Sequence, residues 1–201
     1  DKNKTSKIIN TNTVLVATGV NGNIEGIGLE DIGVKTDRGS IVINEFNETC
    51  VSNIYAIGDV SGPPWLAHVA SAQGHVAAEH ASDKKTHPVD YSIVPGCTYC
   101  QPQVASLGLT EKAAKASGYK LKIGRFDFRG SGKALASGHP AGFVKIIFDE
   151  KYGELLGCHI IGNDATELIA ELTLAKALET TWQEIAITMH QAETGQANEL
   201  Q

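Results

Sequence analysis

The sequence predicts an α+β fold, in which an antiparallel sheet is covered on one side by helices. Three observations predict this fold. Short apolar runs that end in Gly recur through the first half of the 201 residues, apolar runs at 142–149 and 155–162 flank a turn-forming segment, and helical patterns close the chain. Strand patterns followed by helical patterns favour the α+β class, and the length suits one large domain or two small ones.

The first half is expected to contain three short strands and one helix. Residues 14–19, 40–44 and 53–59 are apolar and β-branched, and we predict a strand at each of them, with the first one buried. A glycine–proline turn then leads into a predicted helix over 66–82, whose small residues allow close packing on one face.

The polar stretch 84–91 is where we expect the boundary to a second domain. Gly130-Ser131-Gly132-Lys133 lacks the further residues of a phosphate-binding loop, so we predict a solvated loop there. The elements predicted for this half are a helix over 110–118, capped by Thr110 and ended by Gly118, a strand over 120–128, hairpin strands over 142–149 and 155–162, a helix over 164–179, and a helix over 181–189 capped by Thr181.

Composition and charge exclude several classes of function. Lys and Arg number 17 against 23 Asp and Glu, a net charge of −6, which gives no electrostatic footprint for nucleic acid or for an anionic membrane surface. No apolar run approaches the roughly 20 residues of a membrane-spanning helix, and no secretory signal pattern opens the chain. We therefore expect a cytoplasmic protein. Because the chain opens at Asp1 and its only Met is Met189, we also expect it to be a piece of a longer protein.

The four cysteines offer one tempting pattern, Cys97-Thr-Tyr-Cys100, which could be a redox pair or half of a zinc site. The surrounding sequence is typical of strand and turn, and residues three apart on a strand point to opposite faces. Neither Cys50 nor Cys158 has a second ligand at chelating spacing. We therefore favour reduced cysteines packed in a sheet over a redox or metal site, and we expect no metal.

The strongest candidate site lies where the third apolar run ends in Gly58-Asp59 and the predicted helix begins. An Asp beyond the end of a strand commonly accepts hydrogen bonds from sugar or ribitol hydroxyls. The first turn of the helix, Trp65-Leu66-Ala67-His68, presents N–H groups and a positive dipole end, which suit a phosphate or the pyrimidine edge of a flavin. A plain turn with a capping Asp is the alternative. Glu167 and Glu171 share a helix face and are taken as solvated or interfacial.

Residues 53–60, NIYAIGDV, followed by GPPWLAH at 62–68, resemble the second flavin-binding motif of the two-dinucleotide flavoprotein disulfide reductases. Residues 14–29 look like the exit from that family's nicotinamide-binding domain. Residues 95–111 look like the start of its interface domain, and residues 155–169 resemble a strand and helix of that domain. These stretches cover nearly the whole chain. They look most like the dihydrolipoyl dehydrogenase branch, and the CTYC form looks like the subgroup that serves the pyruvate dehydrogenase complex.

The resemblance implies a role for each segment. Residues 1–19 would end a nicotinamide-domain-like segment, 20–88 would be the C-terminal part of the FAD-binding region, and 89–201 would be the interface, or dimerisation, domain. The cofactors of the parent protein would be FAD and NAD, and its partners a second copy and a 2-oxo acid dehydrogenase complex. Cys97 and Cys100 would be a structural pair. The implied cofactor-binding residues include Gly58 and Asp59, with Asp59 at the FAD ribitol or an adjacent flavin group. The others are Trp65, Leu66, Ala67 and His68 against the isoalloxazine, and Gly19 near the nicotinamide dinucleotide.

The chain also departs from the family. It contains no G-x-G-x-x-G fingerprint ahead of a helix and no two cysteines spaced as C-x₄-C, the family's redox disulfide. The positions of the family's acid/base His and its partner Glu fall on Ala192 and Ala197, and only Thr194 matches. His190 lies two residues early, so no catalytic role is assigned to it. We expect the C-terminal portion of such a flavoenzyme, with no dehydrogenase activity from this chain alone.

Two alternatives stay open on the sequence. One is a sister enzyme of the mercuric or glutathione reductase type, which the upstream redox loop would distinguish. The other is a non-catalytic dimerisation module, for which the altered tail is the supporting feature. A visible spectrum separates the second from an assembled flavin site.

Overall fold

A computed structural model describes residue 6 and residues 8–190, and the chain divides into two compact units, residues 1–89 (unit 1) and 90–201 (unit 2). Among the described residues no helix has the length and apolar character needed to cross a membrane. Each unit is described by itself.

Unit 1 contains one long helix and very little regular sheet. Strands β1, Thr36–Asp37, and β2, Ser40–Ile41, form a hairpin whose two loop residues have positive φ, 46° at Arg38 and 79° at Gly39. Positive φ at both loop residues gives the turn a twist that matches the right-handed twist of the two flanking strands. Helix α1, Ala67–Ala81, confirms the predicted helix to within a residue at each end.

The packing of unit 1 follows from the spacing of its apolar residues. Helix α1 buries Val69, Gln73, Val76 and Ala77, which are spaced as one helical face. The loops before it bury a separate small cluster, made of Ile24, Leu29, Val34, Ile41 and Ala56.

Two of the strands predicted in unit 1 are wrong and the third is shorter than predicted. Residues 14–19 form no strand and are exposed rather than buried, with Leu15 at 90% exposure. Residues 53–59 contribute only an isolated bridge between Tyr55 and Glu48, and 40–44 pairs as a strand only at β2. An apolar run becomes a strand only where a neighbouring strand accepts and donates its backbone hydrogen bonds. The described residues supply no such neighbour to 14–19.

Unit 2 is built on a five-stranded antiparallel sheet in the order β3-β4-β7-β6-β5. The central pair is the predicted hairpin, which is therefore confirmed, as is the strand predicted over 120–128. The strands are β3, Gly96–Thr98; β4, Gln103–Gly108; β5, Leu121–Asp127; β6, Phe143–Asp149; and β7, Leu155–Gly162.

The helices of unit 2 begin at side-chain caps in three cases of four. The Thr110 hydroxyl accepts from the Ala113 N–H, and Thr181 forms a capping box with Glu184, so both predicted caps are confirmed. The loop predicted at 130–133 is wrong in part, because Ser131 caps a short helix there. The helices are α2, Glu111–Ala116; α3, Gly132–Ala136; α4, Ala165–Ala177; and α5, Trp182–Ile187.

The core of unit 2 lies mainly between the sheet and α4. Ile169 of α4 packs in one buried cluster with Ile146 of β6, whereas Ile147 packs in a second cluster with Ala114 of α2. Successive residues of a strand point to opposite faces, so the small helix α2 lies with the other face of the sheet. The α+β class that the sequence predicts is the class observed, but the prediction that helices cover only one side of the sheet is wrong, because α2 packs against the other side.

Candidate functional site

The candidate site of unit 1 is a 3-10 turn, Gly58–Ser61, called the 58–61 turn below. Gly58 has a φ of +71°, and a Cβ at this position would lie 3.2 Å from the Ala70 Cβ of α1. Both facts favour glycine, because the left-handed region penalises other residues and the turn runs close to the helix. The Ser61 hydroxyl donates to the Gly58 carbonyl at 2.7 Å and closes the turn.

Asp59 is the only charged residue of this turn. It is exposed, and its carboxylate makes no hydrogen bond or ion pair with any residue that the structure describes. Its backbone carbonyl accepts from the Gly62 N–H at 3.3 Å. The backbone of Asp59 is therefore fixed in the turn, while its carboxylate oxygens stay available as acceptors.

Helix α1 starts six residues after the turn, and its start carries no side-chain cap. Leu66 is the N-cap residue, and its N–H donates to the Pro64 carbonyl at 3.0 Å. Ala67 and His68 follow as exposed residues of the first turn, and Trp65 precedes the helix with 41% of its surface exposed. The N-terminal end of this 15-residue helix concentrates positive potential, which suits an anionic or electron-rich group.

The remaining predicted site residue, Gly19, lies in the exposed, irregular segment before the core of unit 1. It has a φ of +114°, and no atom of the described chain lies within 4 Å of where a Cβ would be. The structure thus brings Gly58, Asp59 and the start of α1 together through Ala70, and it shows open space around Gly19.

Sequence reasoning missed two buried polar residues: Gln73, which hydrogen-bonds to the 58–61 turn, and Asn47, which hydrogen-bonds to Gln73. The Gln73 side-chain oxygen accepts from the Gly58 N–H at 2.7 Å and lies 3.4 Å from the Ser61 hydroxyl. Asn47 donates from its amide nitrogen to the Gln73 backbone carbonyl at 3.2 Å. A signal was available, because Gln73 is a polar residue one turn from Val69 and Val76 on the apolar face of α1.

The four cysteines are all free thiols. Burial raises the pKa of the Cys97 thiol, and it raises the pKa of the Cys158 thiol to about 12. Both pack against the sheet as predicted, but Cys100 lies exposed in the turn after β3, where its Sγ contacts the Pro102 carbonyl at 3.0 Å. A pair packed together in the sheet is therefore the wrong description of Cys97 and Cys100. No group of metal-binding side chains occurs within residues 8–190.

The last residue that the structure describes, His190, makes a contact that the sequence did not predict. His190 Nε2 lies 2.5 Å from Glu171 Oε1 of α4, and its Nδ1 lies 2.8 Å from the Thr188 carbonyl. The positions 192 and 197, where the family's His and Glu would fall, lie outside the described residues.

The outer side of α4 exposes two leucines one helical turn apart. Leu174 is 62% exposed and Leu178 is 67% exposed, although the other side of the same helix buries Ile169 and Leu172. Ile187 and Met189, which end and follow α5, are also exposed. These four side chains, Leu174, Leu178, Ile187 and Met189, are called the apolar face of unit 2.

The antiparallel sheet backed by α4 and the Asp-bearing glycine turn lie in segments that match models of known protein families. The dimerisation domain of the pyridine nucleotide-disulphide oxidoreductases matches residues 94–196, and the pyridine nucleotide-disulphide oxidoreductase model matches residues 1–74. The chain belongs to the pyridine nucleotide-disulphide oxidoreductase family.

Curated relatives are similar over most of this chain. A dihydrolipoyl dehydrogenase of Rhizobium etli is 52% identical over 182 residues, which is 90% of this chain and 38% of that protein. A dihydrolipoyl dehydrogenase of Zymomonas mobilis is 51% identical over 87% of this chain and 38% of its own length. The chain thus spans less than two-fifths of either relative.

The chain is also similar in fold to solved structures. LpdA of Mycobacterium tuberculosis is 28% identical with a TM-score of 0.82, covering 90% of this chain and 41% of that chain. RclA of Escherichia coli, a flavoprotein disulfide reductase induced by HOCl, has a TM-score of 0.85 at 19% identity, covering 92% of this chain and 43% of that chain. At that identity the second likeness concerns the fold alone.

Proposed function

We propose that this chain is the C-terminal part of a dihydrolipoyl dehydrogenase. The parent protein would move electrons from dihydrolipoamide through a redox disulfide and FAD to NAD. The observation that carries the proposal is the exposed Asp59 carboxylate on a glycine turn beside the uncapped start of α1, in a chain 52% identical to a dihydrolipoyl dehydrogenase. In this proposal residues 1–19 end the nicotinamide domain, 20–88 complete the FAD region and 89–201 form the interface domain.

The residues present fit a flavin. Asp59 offers free acceptor oxygens for a ribitol hydroxyl, and the first turn of α1, with Trp65 and Leu66 just before it, offers N–H groups and a positive dipole end. When bound, the flavin supplies the transfer of electrons between a dithiol and a nicotinamide. The work of this chain would be to orient the ring through Asp59 and to stabilise negative charge on it through the start of α1. Gly19, with open space around it, would let the nicotinamide dinucleotide approach the backbone.

We further propose that unit 2 forms a homodimer through its apolar face. Leu174 of α4 and Leu178 at its C-cap are exposed on the outer side of this helix, although its other side is buried. The charged Glu167 and Glu171 precede them on the outer side, so the apolar surface lies towards the C-terminal end of the helix. Exposed apolar patches of this kind mark protein–protein contacts, and the family match over this unit is to a dimerisation domain. We also propose that the parent protein works in a 2-oxo acid dehydrogenase complex and is located in the cytoplasm.

The test of the flavin site is Asp59→Asn in the full-length protein that contains this chain. The change removes one acceptor and the charge at an exposed position, so we expect FAD to bind about ten-fold more weakly while the thermal midpoint of unfolding stays near that of the wild type. Dilution-induced release of flavin, followed by its fluorescence, measures the Kd. Unchanged binding would show that Asp59 does not contact the flavin.

Two controls distinguish the alternatives. The 201-residue chain alone is expected to reduce no NAD with dihydrolipoamide, because it contains neither the C-x₄-C pair nor the family's His and Glu at 192 and 197. Turnover by this chain would contradict that expectation. A full-length protein that is colourless yet dimeric would favour the non-catalytic module, and activity with mercuric ion or glutathione disulfide would favour a sister reductase. The named relatives favour neither.

A further inference from the structure

We propose that Gln73 is a positioning residue for the flavin, which fixes the 58–61 turn, and with it Asp59, relative to the start of α1. This inference rests on the proposed flavin site and adds to it a residue that does not itself touch the cofactor. It concerns unit 1 alone.

Gln73 has the geometry of a dedicated acceptor. It is 4% exposed, and its side-chain oxygen accepts from the Gly58 N–H at 2.7 Å. The Ser61 hydroxyl, at the other end of the turn, lies 3.4 Å from the same oxygen. One buried oxygen therefore lies against both ends of the four residues that carry Asp59.

The same residue lies on the helix whose start forms the other half of the proposed flavin contact. Gln73 follows Ala67, the first residue of α1, by six positions, or about 9 Å at the rise of an α-helix. The hydrogen bond from Gly58 to Gln73 therefore sets the distance between the Asp59 carboxylate and the first turn of α1. Loss of this hydrogen bond would change where Asp59 meets the ribitol and where the first turn of α1 meets the flavin ring.

A further contact holds Gln73 in place. Asn47, which is 2% exposed, donates from its amide nitrogen to the Gln73 backbone carbonyl at 3.2 Å. Asn47 has a φ of +66°, a conformation that Asn tolerates better than most residues, and its own backbone carbonyl accepts from the Ala56 N–H at 3.0 Å. The segment that leads into the 58–61 turn is thus tied to α1 at Gln73.

The chemistry of the side chain makes specific substitutions informative. Gln73→Met keeps the length of the side chain and removes the acceptor, leaving the Gly58 N–H without its partner. Gln73→Glu keeps an acceptor oxygen in either protonation state. Val76→Ala is the matched control, because Val76 is buried on the same helix face but is not part of this hydrogen-bond network.

The experiment uses the full-length flavoprotein, with the Kd of FAD, the visible spectrum of the bound flavin and its midpoint potential as readouts. We expect Gln73→Met to raise the Kd about ten-fold and to shift the spectrum and the potential. We expect Gln73→Glu to restore the Kd, and Val76→Ala to lower the thermal midpoint with the Kd and spectrum of the wild type. If Gln73→Met is insoluble, Gln73→Asn, whose oxygen is one methylene too short to reach Gly58, takes its place with the same expectations.

The outcomes separate this inference from the proposal beneath it. Wild-type flavin binding and spectrum in Gln73→Met, together with weakened binding in Asp59→Asn, would overturn the positioning role and leave the flavin site standing. Equal losses in Gln73→Met and Val76→Ala, with no restoration by Gln73→Glu, would reduce Gln73 to a structural residue and overturn the role as well. If neither Asp59→Asn nor Gln73→Met changes flavin binding, both the proposed flavin site and this inference are wrong.

Discussion

The two units differ in how much of their backbone forms hydrogen bonds with neighbouring strands. In unit 2 every strand lies beside at least one other strand, and the central strands β6 and β7 have neighbours on both sides. In unit 1 the described sheet is a hairpin of two-residue strands, and the apolar residues at 14–16 are exposed. The comparison teaches that apolar sequence builds a sheet only where the chain also supplies the neighbouring strands.

The candidate site reflects the same difference. The 58–61 turn is not held at the end of a sheet strand, as the sequence predicts, but by a hydrogen bond from the Gly58 N–H to the Gln73 side chain of α1. Asn47 in turn donates to the Gln73 backbone carbonyl. A few buried polar groups there do what a ladder of backbone hydrogen bonds does in unit 2.

The largest effect is expected from separating the units. Residues 90–201 alone are expected to unfold in one cooperative transition, because their sheet and both buried clusters lie within that range. Residues 1–89 alone are expected to bind a hydrophobic dye and to show no sharp transition, because they expose 14–16. Circular dichroism during heating checks both fragments. A sharp transition in 1–89 would contradict the expected difference between the two units.

The next effect is expected at Gly157, in the middle of β7. A Cβ there would lie 2.1 Å from the Leu109 carbonyl oxygen, so Gly157→Ala must push a central strand away from its neighbour. We expect the change to lower the free energy of unfolding of unit 2 by about 3 kcal/mol or more, measured by denaturant titration. Gly132→Ala is the control, because no atom lies within 4 Å of that position. Equal stability of the two variants would show that the sheet tolerates separation.

A smaller effect is expected on self-association. Leu174→Glu combined with Leu178→Glu places charges on the apolar face of unit 2, and we expect the full-length protein to dimerise about ten-fold or more weakly with its thermal midpoint as a monomer nearly unchanged. Sedimentation velocity measures the dissociation. Leu135→Glu, at a leucine of α3 that is 58% exposed, is the matched control. Loss of dimer in the control alone would move the interface to α3.

The smallest effect concerns a surface ion cluster of unit 2. Lys115 and Lys145 donate to Glu111 at 2.6 and 2.5 Å, and these hydrogen bonds lower the pKa of Glu111 to about 2. A lowered folded-state pKa stabilises the fold above the unfolded value of 4.5, and this stabilisation disappears as the pH falls from 4.5 towards 2. Glu111→Gln is therefore expected to be slightly less stable than the wild type at pH 7 and equal to it near pH 2.

The control for this effect is Glu150→Gln, since Glu150 is exposed and forms no ion pair with any described residue. Denaturant titration at the two pH values measures the difference between the variants. A gap between wild type and Glu111→Gln that persists at pH 2 would show that Glu111 acts through packing. Exposed ion pairs contribute little, so the effect ranks last.

Local sequence signals were sufficient wherever the cause of an element is itself local. The caps at Thr110 and Thr181, the hairpin of β6 and β7, and α1 were predicted because capping hydroxyls, turn glycines and helical spacing act within a few residues. The run at 14–19 was mispredicted because its composition is typical of a strand. A strand also needs hydrogen-bond partners from a neighbouring strand, and composition does not reveal whether the folded chain supplies them.

For the candidate site, the sequence determined the residue types and the tertiary structure decided what holds them. Gly58, Asp59 and the start of α1 could be named from their order along the chain, since a glycine turn and a helix start are local features. Gln73 and Asn47 could not, because Asn47 and Gln73 are separated by 26 residues and Gln73 and Gly58 by 15, and those contacts exist only once α1 has packed. Hydrogen bonds between residues far apart in sequence carry no local pattern, so only the folded chain reveals them.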